Sequence, residues 1–265
     1  MLKKLLKYDL KFVFKPLFIF YGLFIFFSIV TRIFEHLNNT NPTMIIVVID
    51  KICVGIVIAL IFNIFINCLM RNWVRFSSNI YKDEAYLTHT LPVSKNELFL
   101  SKILTIIISL FISFVIVILG LAIVFLSKDM WSVIKTFLEQ TSIMFNSSVL
   151  GFVSIMLFVV FFEFLFMIMC GILGIVIGHR ANNYKLLKSI IMGIGIYFVF
   201  SIISLLVLYL IGLFNTDIAS LFKGMDVSSR AIKGMMEIAL IIYIIYNLII
   251  YFVGCKLFNN GVNID

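Results

Sequence analysis

The sequence predicts an all-α integral membrane protein, and three observations carry that reading. Of its 265 residues, 63% are hydrophobic and only 13% charged, where a soluble domain is about half apolar and about a quarter charged. The apolar residues gather in continuous runs, and about twenty of them rising about 1.5 Å each cross a hydrocarbon core of about 30 Å. Within the runs there is no alternation of apolar and polar residues, which argues against the strands of a membrane barrel.

Six runs qualify: approximately Leu17 to Phe34, Ile52 to Met70, Ile103 to Leu126, Gly151 to Gly178, Ser189 to Phe214 and Ile238 to Phe258. The fourth is longer than it needs to be and is expected to tilt or overhang. Orientation follows from Lys and Arg in the short connections. With the N-terminus inside, the cytoplasmic side holds 14 of the 21 basic residues, an asymmetry that predicts a plasma-membrane protein with both termini cytoplasmic. The net charge of +8 then reads as a topology signal and a match to anionic lipid headgroups. No basic block with interleaved aromatics stands free of the membrane, so nucleic acid is not an expected partner.

Ahead of the first span, MLKKLLKYDLKFVFKP sets Lys3, Lys7, Lys11 and Lys15 four residues apart, with Leu2, Leu5, Leu6, Leu10 and Val13 turned mostly the other way. This spacing predicts an interfacial helix over residues 1–16, with Pro16 marking the bend into the span. A signal peptide fits poorly, because Lys7, Asp9, Lys11 and Lys15 interrupt the apolar core such a peptide needs. On the outer side, residues 127–142 place Met130, Trp131, Ile134, Phe137 and Leu138 on one face of a short surface helix. Cys53, Cys68, Cys170 and Cys255 fall in or at the ends of spans without metal or redox spacing, and read as small buried hydrophobes. The whole chain, 1–265, reads as one membrane domain.

A polar stretch between two apolar runs, YKDEAYLTHTLPVSKNELFLSKIL from Tyr81 to Leu104, raises the question of what it is for. The second helix continues past Met70, and Pro92 disfavours helix at Leu91. In VSKNEL, Ser94 and Glu97 have the spacing of a capping box and Val93 and Leu98 that of a hydrophobic staple, so the third span starts in water. Asp83 and Glu84 stand near a helix N-terminus, and Tyr86, Leu87 and Leu91 are the apolar anchors of a polar knob that reads as an attachment point, with His89 part of the same knob. The plain alternative is a capped hairpin that only joins two spans.

The lysine-rich N-terminal helix, six spans and the loop DEAYLTHTLPVSKNELFLSK together resemble the permease subunits of bacterial ABC-2 type exporters. Leu91, Pro92, Val93, Ser94 and Lys102 match the family pattern at the start of the third span. The resemblance implies an elbow helix at residues 1–16 and a cytoplasmic coupling loop at 71–102 that docks on an ATPase. It makes Asp83, Glu84, Tyr86, Leu87, His89, Leu91 and Pro92 the ATPase-coupling residues, and it implies a second permease chain as homo- or heterodimer partner. The family's outer re-entrant element has a weak counterpart at 215–236.

No GxxxxGK[ST] loop occurs, so the chain is expected to carry no cofactor and to leave ATP and Mg to its partner subunit. HExxH, GxSxG and paired carboxylates in a span are likewise missing, which favours a non-enzyme. Glu163, in VVFFEFLF, is the one acid deep in a span. A charge there costs about 2.5–3.5 kcal/mol or more, so it should face protein or water. Asn63 and Asn67, sharing one face of the second span, are its plausible partners in a substrate path. Gly171, Gly174 and Gly178 predict close helix packing or a dimer contact. The expected function is export of a hydrophobic or amphipathic substrate, such as a peptide, a lipid or a drug-like molecule. A membrane-embedded enzyme and a non-transporting scaffold or immunity protein are the alternatives.

Overall fold

The structure, a computed structural model, describes residues 1–125, 128–145, 147–222 and 228–261. Among these the chain is helical, with no strand: α1 (Leu2–Thr40), α2 (Met44–Ile80), α3 (Ala85–His89), α4 (Lys95–Phe125), α5 (Lys128–Met144), α6 (Val149–Gly178), α7 (Lys185–Phe214), α8 (Thr216–Ala219) and α9 (Ser229–Asn259). Six of them, α1, α2, α4, α6, α7 and α9, are long and apolar enough to cross a membrane, and one expected run falls on each, the third as far as Phe125. The chain forms two compact units, Met1–Arg75 with Leu100–Ile134, and Phe76–Phe99 with Lys135–Asp265.

In the first unit, α1 is continuous through Pro16, so the separate interfacial helix expected at residues 1–16 is instead the first turns of a 39-residue helix. One proline removes one ladder hydrogen bond, too little to end a helix held by packing on both sides of it. Its buried stripe, Asp9, Val13, Leu17, Tyr21, Phe24, Ser28 and Thr31, recurs every three or four residues, as one face of a helix must. The five lysines at the start of α1 are exposed, as expected. At about 1.5 Å per residue α1 and α2 are about 55–60 Å long, more than a bilayer with its headgroups, so each overhangs the apolar core.

In the second unit α6 packs against both α7 and α9, and α8 against α7 and α9. Capping fits the local sequence: Ser148 accepts from the N–H of Gly151 and Ser228 from that of Ala231, each satisfying a donor that a helix start leaves open. The glycines of α6 mark an approach within the chain. A methyl group at Gly174 would meet the backbone of Gly193, and one at Gly178 the backbone of Ser189, so α6 and α7 pack backbone to backbone. Gly174→Val is therefore expected to force the pair apart and lower stability by about 1–3 kcal/mol, read as a drop in the thermal midpoint in detergent; an unchanged midpoint would contradict the contact.

The amphipathic segment expected at 127–142 is helix α5, with Trp131 and Phe137 exposed. The side chain of Met130 lies outside the described residues, as do residues 223–227. The element expected at 215–236 is thus described only at its ends, as the single turn α8 and the start of α9.

Candidate functional site

Three constellations of polar residues interrupt the apolar helices. In the first unit, α1, α2 and α4 bury a charged cluster: Asp9 is 1% exposed, Lys102 3% and Arg75 8%. Asp9 Oδ1 accepts from Arg75 Nε and Lys102 Nζ, both at 2.7 Å, while Oδ2 accepts from Lys102 Nζ at 2.8 Å and Ser101 Oγ at 3.2 Å. The Arg75 guanidinium also covers the Phe12 ring, 4.9 Å from its centroid. Burying charge is costly, and attraction offsets that cost only where the carboxylate's lone pairs are well met. Here both oxygens are met, so Asp9 fixes three helices at one point.

A polar stripe continues from this cluster along α4. Ser101, Thr105, Ser109 and Ser113 lie four residues apart and are all buried, hence on one face. Ser109 Oγ accepts from Asn72 Nδ2 at 2.9 Å, and the Tyr21 hydroxyl pairs with Ser113 Oγ at 2.7 Å. Hydroxyls buried among apolar side chains need such partners, and these tie α4 to α1 and α2. Asn63 and Asn67, the proposed partners of Glu163, also belong to this unit; Asn67 Nδ2 donates to Asn63 Oδ1 at 2.6 Å and to the Asn63 carbonyl at 3.0 Å.

The second constellation is the segment between α2 and α4, which belongs to the second unit together with the end of α2 and the start of α4, residues 76–99 in all. The expected capping box is present: the Glu97 N–H donates to Ser94 Oγ and the Ser94 N–H to Glu97 Oε2, each at 3.3 Å. The short helix α3 has a buried face and an exposed one. Its inner face is made by Ala85 and Thr88, both buried, whereas Tyr86 is 69% and Leu87 73% exposed, with Leu91 exposed beside them. Tyr86, Leu87 and Leu91 do not hold the segment to the rest of the unit. Polar groups do: Asn79 Nδ2 donates to Glu84 Oε2 at 2.8 Å and to Thr88 Oγ1 at 3.0 Å, which turns Glu84 inward. His89 Nε2 is 3.2 Å from the Ile80 carbonyl and its ring lies against Phe258. Asp83 and Pro92 are exposed.

The same end of the second unit gathers further contacts. Phe99, buried, packs against Phe76, Tyr251 and Phe258. Arg180 Nη2 donates to the Leu257 carbonyl at 2.6 Å and Lys95 Nζ to that of Asn259 at 3.3 Å, cations placed where the last carbonyls of α9 are open. His179, in the turn that follows α6, is buried with its ring stacked on Tyr81 at 4.2 Å. Burial pushes the Tyr81 phenol well above the ordinary tyrosine range, against the opposing pull of Arg180. It stays a neutral stacking partner at physiological pH.

Glu163 makes the third constellation. It is half-buried near the midpoint of α6, and Tyr197 of α7 and Tyr243 of α9 pack against Phe166, one turn along α6 from it. Next to them the fully buried Phe166 ring is enclosed by Tyr197, Phe200, Tyr243 and Tyr246 at 5.6–5.8 Å. No metal-binding group of three or more His, Cys, Asp or Glu occurs among the described residues.

Asp9, Asn79, Thr88 and the Tyr81–His179 stack were not singled out from the sequence as site residues. For Asp9 a signal existed: it stands two residues from Lys7 and Lys11, on the opposite face of the helix and in line with Val13 and Leu17. Comparisons with protein-family models, curated proteins and solved structures return no match for this chain.

Proposed function

We propose that this chain is the membrane-spanning permease subunit of an ATP-driven exporter of the ABC-2 type, moving a hydrophobic or amphipathic substrate outward. One observation carries the reading most directly. An ordered polar segment outside the apolar runs turns its polar groups inward and leaves Tyr86, Leu87 and Leu91 exposed. Apolar side chains held out into water by a fixed scaffold mark a place where another protein binds. The excess of basic residues on the same side supports a cytoplasmic position for this surface, where an ATPase would meet it.

In this reading two ATPase subunits bind ATP and Mg, a second permease chain completes the assembly, and closure of the ATPases pushes the α3 segment. Because residues 76–99 belong to the same compact unit as α6, α7 and α9, the push is delivered to those spans. They then shift between inward-open and outward-open arrangements. The test is a pair of serine substitutions, Tyr86→Ser and Leu87→Ser, which leave the inward bonds of α3 intact. ATPase recovered with the purified chain should fall about tenfold or more, as for central apolar contacts at an interface, with an unchanged size-exclusion profile. Undiminished recovery would count against docking at this surface.

A further inference from the structure

We propose that Glu163, Tyr197 and Tyr243 form a binding site for an amphipathic organic cation. The proposal deepens the exporter reading, on which it rests only in taking that cation to be the cargo.

All three residues stand near the midpoints of their helices, α6, α7 and α9, and all three side chains are partly open rather than buried. The three side chains are therefore partly open at mid-depth in the second unit. Among the described residues no lysine or arginine forms an ion pair with Glu163. The contrast with Asp9 is informative, because that buried acid brings two cations of its own. An acid at the centre of a span must be matched by something, since a charge there costs about 2.5–3.5 kcal/mol or more by insertion scales.

The neighbours define the matching group. Tyr243 and Tyr197 pack their rings against Phe166, one turn of α6 along from Glu163, with the Phe200 and Tyr246 rings beside them. Aromatic faces attract a cation, most strongly when it is poorly hydrated, and a low-dielectric setting strengthens the pairing with the acid. A small hydrated metal ion would gain little from the rings. An anionic amphiphile would be repelled by the carboxylate. A cation carried on an apolar body satisfies both halves of the site.

The test uses the full chain in nanodiscs of zwitterionic lipid, with empty nanodiscs as the partition control. Tetraphenylphosphonium is the probe, and tetraphenylborate, of the same shape and opposite charge, the comparison. Saturable binding of tetraphenylphosphonium is expected, weakened about tenfold or more by Glu163→Gln. Tyr243→Phe, which keeps the ring, should stay within about twofold of the parent, and Tyr243→Ala should not. Equal binding by Glu163→Gln, or saturable binding of tetraphenylborate at the same affinity, would overturn the proposal. The exporter reading fails separately: cation binding that depends on Glu163 in a chain recovering no ATPase keeps the site and removes the exporter.

Discussion

Asp9→Ala is expected to destabilise the first unit by about 3–5 kcal/mol, the range for removing one partner of a buried ion pair. The loss is large because Arg75 and Lys102 both donate to this carboxylate at 2.7 Å from nearly fully buried positions. Without it, two cations stay buried at a place built around an anion. Thermal unfolding in detergent reads the effect, and the double variant Asp9→Ala with Lys102→Met identifies its cause. Removing the Lys102 ammonium should restore part of the loss, with a coupling of about 1 kcal/mol or more. Additive effects would mean that Asp9 acts by something other than its charge. Asp9→Asn keeps the shape and should still lose most of the stability, because a neutral amide cannot match two cations.

Phe99→Ala should cost about 3–5 kcal/mol, as for deletion of a fully enclosed aromatic ring. The ring is 1% exposed, with centroids of Phe258, Tyr251 and Phe76 at 5.7, 5.9 and 6.2 Å. Gly254 leaves the space into which its edge fits. Stability is not the only readout, since Phe99 holds the start of α4 against α9, and its loss should loosen residues 76–99. Hydrogen exchange is expected to rise in α3 while the apolar core of α6 stays protected. Unchanged exchange in α3 would show that Asn79, Thr88 and His89 hold the segment without the ring.

What the sequence discloses and what it hides follow from the range of each signal. The six spans are legible because twenty apolar residues in a row are a local feature. The Ser94–Glu97 cap is legible for the same reason, its two partners lying three residues apart. The sidedness of α3 is hidden because five residues are too few for an apolar period to appear. Its buried face is chosen by Asn79, nine residues before Thr88. Asp9 meets its partners across 66 and 93 residues of chain, a pairing no local pattern encodes, although its place on the apolar stripe of α1 was visible. Pro16 shows the converse, a strong local breaker overridden by packing along the rest of α1.

The α3 surface also bears on the choice among functions. A hairpin that merely joined two spans would have no need to hold Tyr86 and Leu87 outward with bonds from Asn79 to both Glu84 and Thr88. Such side chains would be more stable turned inward, so their exposure is a cost in the isolated chain that a partner would offset.

The account is tested most directly by purifying the tagged full chain from its own cell in mild detergent and identifying what stays bound by mass spectrometry. A stoichiometric ABC-type ATPase, lost with the Tyr86→Ser and Leu87→Ser substitutions, is the result the account predicts. The chain recovered without any ATPase in several mild detergents would contradict it.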